Sequence, residues 1–217
     1  MPLFCWSVAA ALEEARVRCV GVTTDDPEIL SWCKRAQRVD PRIVPIERPA
    51  GLATDDAPTE PALIHAVEAV GTGPKEIVLL MQATSPFRHG GLLSEVIDAA
   101  ATSGSSLTCR SDGQIMWIGG FGGCVPLYDP AHRPRRQDAA DGSGYFYEDG
   151  NLYACRADIL GSRACRIGPG AAIVETDAIQ SIQIDSLDEL SLCRAAIGLP
   201  EISSWLAKLK GVLPRLA

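Results

Sequence analysis

The residues of this chain that can do chemistry fall in four polar stretches. Where the most apolar run of the sequence, Ile77-Val78-Leu79-Leu80-Met81, gives out, the chain reads Gln82-Ala83-Thr84-Ser85-Pro86-Phe87-Arg88. That places an amide, two hydroxyls and a guanidinium at a predicted strand's carboxyl end, where open α/β sheets bind ligands. The same residues also make an ordinary strand-to-helix turn set by Pro86. Upstream, the loop from Arg48 to Thr59 follows another predicted strand and ends at a helix start, where unpaired backbone N–H groups can face a nucleotide. Thr59 as a helix cap, with Asp55 and Asp56 solvated, accounts for that loop structurally. In Arg133-Pro134-Arg135-Arg136-Gln137-Asp138 three guanidiniums concentrate, a pattern that suits bidentate binding of a carboxylate or phosphate and is also common in solvated loops. Gln183 and Asp185 alternate along a predicted strand and so share a face, from which a carboxylate can hold Mg²⁺ through oxygen ligands and water. Asp188 and Glu189 read as first-turn capping residues. His65, His89 and His132 share no spacing with a nucleophile or metal cluster, and Ser85 lacks the Gly-x-Ser-x-Gly setting of a nucleophile elbow.

The elements that must position these groups alternate. Apolar spacing predicts an amphipathic helix from Leu3 to Ala15, a buried strand from Cys19 to Thr23, and a helix to about Arg38 opened by Asp26, Pro27 and Glu28. A strand over Arg42 to Ile46, a helix over Pro61 to Val70, a strand over Ile77 to Gln82 and a helix over Leu92 to Ala101 follow. Between Ser103 and Gly150, nine glycines and three prolines break the pattern, predicting a β-rich excursion at about 104–150 with short apolar pieces at Ser106 to Cys109 and Ile115 to Ile118. Strands at Asn151 to Cys155 and Ile182 to Asp185 precede a capping box, Ser186 to Glu189, that starts a last helical region broken near Gly198-Leu199-Pro200. The alternation predicts one α/β domain over 1–217, three-layered and Rossmann-like, with an open, mostly parallel sheet. Such sheets normally begin with a central strand, whereas the first element here is a helix, so the sheet is expected to lack its first central strand or to obtain one elsewhere.

Composition narrows the function classes. The chain has 217 residues, 47% hydrophobic and 22% charged, and no apolar run approaches the roughly 18 residues of a membrane span. A formal charge of −7 gives no reason to expect nucleic-acid binding. Eight cysteines show no Cys-x-x-Cys spacing, which predicts reduced, mostly buried thiols, and the start lacks the features of a secretory signal, so the cytoplasm is the expected compartment.

Several stretches, in their order and spacing, resemble the acylneuraminate cytidylyltransferases, which make CMP-sialic acid and its relatives. The resemblance runs from Pro2-Leu3-Phe4-Cys5-Trp6-Ser7 through Thr23-Thr24-Asp25-Asp26, the Arg48 to Thr59 loop, Gln82 to Arg88, Arg135 to Asp138 and Asp149-Gly150-Asn151-Leu152-Tyr153 to Ser181–Asp185. It implies a nucleotide-diphospho-sugar-transferase-like fold and transfer of CMP from CTP to the anomeric hydroxyl of an acidic nine-carbon sugar for glycan biosynthesis, with Mg²⁺ assisting and pyrophosphate leaving. By carry-over, Arg48, Ala57 and Thr59 line the cytidine site, and Gln82 and Tyr153 contact the sugar. Arg136, or Arg135 in a register one off, meets the sugar carboxylate from the excursion through which family members form homodimers. Asp185 is the metal ligand.

Three departures accompany the likeness. The family's opening strand and its Ala-Arg-Gly-Gly-Ser-Lys-Gly turn, which cradles the triphosphate, have no counterpart in the sequence. One such charge-stabilising donor is typically worth about 3 kcal/mol, so turnover is expected only where a longer chain or another chain supplies them. Gln183 stands where the family often has a second metal-binding aspartate, and Cys165-Arg166 stands where some members have two aromatics against the sugar. A non-catalytic relative that binds a sugar or nucleotide is the alternative expectation.

Overall fold

The first regular element of the chain is a helix. In this computed structural model, which describes residues 2–111, 116–120, 123–133, 135 and 145–212, helix α1 (Phe4–Glu13) buries Cys5 and every residue from Ser7 to Leu12. That is more than one face, so α1 is an interior helix rather than the amphipathic one its spacing predicts. Strand β1 (Val20–Thr24) leads to α2 (Pro27–Gln37), which starts as the sequence requires. Oδ1 of Asp26 accepts from the N–H groups of Glu28 at 2.7 Å and Ile29 at 3.2 Å, with Pro27 in the first turn. Strand β2 (Ile43–Glu47) returns parallel to β1. Helix α3 (Thr59–Val70) has Pro58 at its cap position, so Thr59 is a first-turn residue and not the cap; Gly71, at φ 68°, ends the helix in the left-handed conformation. Strand β3 (Ile77–Met81) and α4 (Leu92–Ser103) complete the first half.

The second half closes the main sheet. It comprises β4 (Ser105–Ser111), β5 (Trp117–Gly120), β6 (Gly123–Pro126), β7 (Phe146–Arg156), α5 (Ala157–Arg163), β8 (Ala172–Glu175), α6 (Leu187–Ala196) and α7 (Pro200–Lys210). Three sheets result: β1–β2, β3–β7–β4–β8, and the hairpin β5–β6. β8 runs parallel to β4, while β7 is antiparallel to both β3 and β4. Ser105–Ser111, expected in the excursion, is therefore a strand of the main sheet, with Ser105 to Cys109 all buried. Neither α5 nor β8 is anticipated, because segments of seven and four residues are too short to show a period. Ile182–Asp185 is not a strand. The Ile184 N–H donates to the Thr84 carbonyl at 2.9 Å, which pins the segment to the turn after β3 without a ladder.

The layers follow from alternation along β3. Ile77, Leu79 and Met81 pack with Leu92, Leu93 and Val96 of α4, whereas Val78 and Leu80 pack with Leu63 of α3 and Leu160 of α5. A strand covered on both faces is apolar throughout, as this one is. The helices α1, α6 and α7 share a further cluster through Ala9, Ala10, Cys193, Ile202, Trp205 and Leu209. All eight cysteines are free thiols, and Cys5, Cys33, Cys109, Cys155 and Cys193 are buried. No ladder joins β1 to β3, so the sheet has a break where a central strand is expected.

Candidate functional site

The break is a cleft of about 860 Å³, walled by every residue of β1 and β3. At the carboxyl ends of the strands its lining turns polar. Thr23 and Thr24 come from β1, Arg48 from just after β2, Thr54, Ala57 and Thr59 from the loop into α3, and Gln82 and Thr84 from the turn after β3. Arg48, Ala57, Thr59 and Gln82, taken from separate stretches of the sequence, thus meet at one opening. The Arg48 side chain lies against the end of β1: Nη2 donates to the Thr23 carbonyl at 2.7 Å and Nε to Thr23 Oγ1 at 3.3 Å. The first turn of α3 opens toward the same space, bringing unpaired backbone donors and a partial positive charge. No group among the described residues bonds the Gln82 side-chain amide, which leaves its donor and acceptor for a ligand. A shallow depression of about 380 Å³ outside α2, at Pro27, Glu28, Ser31 and Arg35, assembles no comparable set.

Arg88, the guanidinium of the same stretch, does not face the opening. It is 3% exposed. Nη1 donates to Ser7 Oγ at 2.9 Å, and Nη2 donates to the carbonyls of Gln82 at 2.6 Å and Asn151 at 3.4 Å. Burial pushes its pKa down to about 9, with the Asp149 side chain opposing. Arg88 is a brace that holds the Gln82 turn against α1 and β7. Behind it lies a polar network with no signal in the sequence. Asp149 Oδ1 accepts from the Thr108 hydroxyl at 2.6 Å and the Asn151 N–H at 2.9 Å, and Oδ2 accepts from the Thr176 hydroxyl at 2.6 Å. Asn151 Nδ2 donates to the carbonyls of Phe87 at 3.0 Å and Gln180 at 2.8 Å. Residues from β4, β7 and the segments after β3 and β8 are thereby tied to one point, although no spacing in the sequence links Thr108 to Thr176.

Tyr153 and Asp185 do not line the opening. Tyr153, on β7, is buried: its hydroxyl donates to Glu148 Oε2 at 2.9 Å, and the Arg166 guanidinium lies 4.2 Å from its ring centroid while pairing with Glu60. Arg136 lies outside the described residues; Arg135 is exposed and engaged in an interaction. Asp185 is exposed, and its N–H donates to Glu189 Oε2 at 2.9 Å. The Gln183 side chain instead covers Gly150, where a Cβ would come within 1.9 Å of its Nε2. Among the described residues no three His, Cys, Asp or Glu side chains form a metal-holding group. A single exposed carboxylate suits Mg²⁺ held largely by waters and substrate phosphates rather than by a protein cage. Among the described residues no helix is long and apolar enough to cross a membrane.

No family model and no curated protein sequence matches the chain. Its backbone is similar to that of 4-diphosphocytidyl-2C-methyl-D-erythritol synthase from Anaerococcus prevotii, with a TM-score of 0.64 and 12% identity over 91% of this chain and 86% of that one. A second crystal structure of a synthase of that name has a TM-score of 0.62 at 10% identity, over 90% of each chain. The 2-C-methyl-D-erythritol 4-phosphate cytidylyltransferase from Thermus thermophilus gives 0.54 at 16% identity, over 91% of this chain and 89% of that one. At these identities the likeness establishes the fold, an α/β nucleotidyltransferase-like architecture.

Proposed function

We propose that the chain is a cytidylyltransferase that moves CMP from CTP to the anomeric hydroxyl of an acidic nine-carbon sugar. The observation that carries this reading is the convergence of Arg48, Ala57, Thr59 and Gln82 on one opening at the carboxyl ends of β1, β2 and β3. Two lines support cytidylyl transfer: the activities for which the structural neighbours are named, and the ordered motifs of the sequence. The acidic sugar rests on the motifs alone.

In this reading the loop from Arg48 to Thr59 holds the nucleotide, with Arg48 beside the end of β1 and the first turn of α3 facing phosphate. Gln82, steadied by Arg88 through its carbonyl, orients the sugar by its free amide, and Tyr153 lies behind it on β7. Arg136, brought from a second subunit of a homodimer, meets the sugar carboxylate. The sugar hydroxyl attacks the α-phosphorus in line and pyrophosphate departs. Asp185 is the residue that would hold Mg²⁺, whose chemistry when bound would be to neutralise charge developing on the transferred phosphate. The compartment expected for this reaction is the cytoplasm.

The test is pyrophosphate release from CTP and Mg²⁺ with N-acetylneuraminate, beside a parallel assay with 2-C-methyl-D-erythritol 4-phosphate. Release with the acidic sugar alone is expected from a form of the protein that carries the triphosphate-cradling turn these residues lack. Release only with the methylerythritol phosphate would replace the substrate class and keep the activity class. A second reading, a non-catalytic module that binds sugar or nucleotide, is favoured by the neutral Gln183 covering Gly150. It requires thermal stabilisation by CTP or sugar with no pyrophosphate from either assay.

A further inference from the structure

On its α3 side the opening is bordered by a row of charged groups. Thr59 lines the opening, and the next residue, Glu60, in the first turn of α3, pairs with Nη1 of Arg166. The Arg166 guanidinium lies 4.2 Å from the Tyr153 ring centroid, and its buried Nε–H has no partner among the described residues. The Tyr153 hydroxyl in turn donates to Glu148 Oε2 at 2.9 Å. Glu148 stands opposite Cys109 of β4, and Tyr153 stands opposite Leu80 of β3, two residues before Gln82. Leu80 packs with Leu63 of α3 and also with Tyr153. The row Glu60, Arg166, Tyr153, Glu148 therefore lies on the α3 face of the sheet and runs along the carboxyl ends of β3 and β4.

The backbone around Arg166 fixes it in this row. Helix α5 ends on Ala164 at φ 48°, the one non-glycine with a positive φ among the described residues, a conformation that persists only where the surroundings hold it. Beyond it the Gly168 N–H donates to Ser105 Oγ at 2.9 Å, and Ile167 packs with Leu107 and Tyr153. The segment is thus drawn onto β4 and β7, and the guanidinium is oriented twice, by the aromatic face beneath it and by the carboxylate at its edge. The Arg166 and Glu60 side chains are 17% and 22% exposed and Glu148 is exposed, so the row keeps an open side. It offers carboxylate acceptors and guanidinium donors, and none of its side chains ends in an alkyl group. Hydroxyl groups satisfy such a surface. An alkyl group laid on it takes water from two carboxylates and a guanidinium and returns no hydrogen bond. An N-acetylated nine-carbon sugar brings one alkyl terminus, its acetyl methyl, and a sugar with a hydroxyl in place of the acylamino group brings none.

We propose that Arg166, flanked by Glu60 and Glu148, is a specificity-determining residue that favours an acidic nine-carbon sugar bearing a hydroxyl in place of the acylamino group. This specificity rests on the acidic-sugar reading and names the sugar class within it. The test is calorimetric binding of two product esters to the 217-residue chain, with CMP alone as the reference. One ester is CMP-N-acetylneuraminate, and the other is the CMP ester of the same sugar with a hydroxyl for the acetamido group. Neither carries a triphosphate. The hydroxyl ester is expected to bind about tenfold more tightly than the acetamido ester. Arg166→Phe, which sets an apolar ring in the row, should bring that ratio to one or below while the affinity for CMP is unchanged. A guanidinium that served only to clamp the segment after α5 to α3 would alter stability and leave the ratio where it was. Should Arg166→Phe fail to fold, Glu148→Leu at the exposed end of the row should by itself lower the ratio about threefold. Equal affinities of the unaltered chain for the two esters, or a ratio that survives the substitutions, would overturn the specificity and leave the acidic-sugar reading standing. Two esters that bind no more tightly than CMP would overturn that reading and the specificity with it.

Discussion

Strands β3 and β7 are hydrogen-bonded neighbours, yet the apolar residues of each live in different environments. On β7, Leu152, Ala154 and Cys155 are at most 1% exposed, because β3 and β4 flank the strand and α4 and α5 cover it. On β3 all five residues, the most apolar run in the chain, are only half-buried, because one edge opens on the cleft. The helices alone do not account for the difference, since α3 and α4 pack on β3 as well. What differs is the second edge. A strand is buried from the sides by its neighbours as much as from above and below, and the half of this sheet that lacks a neighbour is the half that holds the cleft.

The largest test of this contrast is truncation at matched chemistry. Leu152→Ala should cost about 3 kcal/mol and Leu79→Ala about half as much, read from urea unfolding, because a half-exposed leucine leaves a smaller cavity. Equal losses would mean that β3 is as enclosed as β7. Next, Thr176→Val should cost about 1–2 kcal/mol by depriving buried Asp149 of a donor, whereas Thr24→Val, on the open side, should cost little. Arg48→Ala is expected to lower stability by less than about 1 kcal/mol while weakening CTP binding about tenfold or more, as seen by calorimetry; the reverse pattern would make Arg48 a structural clamp on β1.

The smallest effect is in pH dependence. A hydrogen bond from Arg16, assisted by one from the Ser94 hydroxyl against the opposing effect of burial, holds the Glu14 carboxyl down at about 2, compared with 4.5 for the ordinary group. Its folded value lies below its unfolded one, so its contribution is complete above about pH 4.5 and is lost as pH falls toward 2. Arg16 is 43% exposed, so the contribution is about 1 kcal/mol or less. Glu14→Gln should flatten that part of the stability profile, and an unchanged acid limb would show that the pair is solvated.

The helix starts were the most legible parts of the sequence. Asp26 with Pro27, and Ser186 with Glu189, cap helices where their chemistry requires, since a cap is a bond between near neighbours. Thr59 was misread as a cap because threonine suits that position, and Pro58 occupies it instead. Residues 105–111 and 182–185 were misassigned for a related reason. Glycine and proline around the first suggested a β-rich excursion from the sheet, but β7 and β8 flank it; the apolar alternation of the second suggested a strand, but no ladder partner lies beside it among the described residues.

The sequence by itself determined the α/β alternation, the sequence-local caps and the carboxyl-end positions of Arg48, Ala57, Thr59 and Gln82. These depend on periodicity and on residues within a few positions of one another. The tertiary structure alone decided that Arg88 turns inward as a brace, that Thr108, Asp149 and Thr176 form one network, and that β1 and β3 face each other across an open cleft. Those features are pairings between segments far apart in the chain, and a hydroxyl or a strand edge carries no mark of its partner until packing brings the two together.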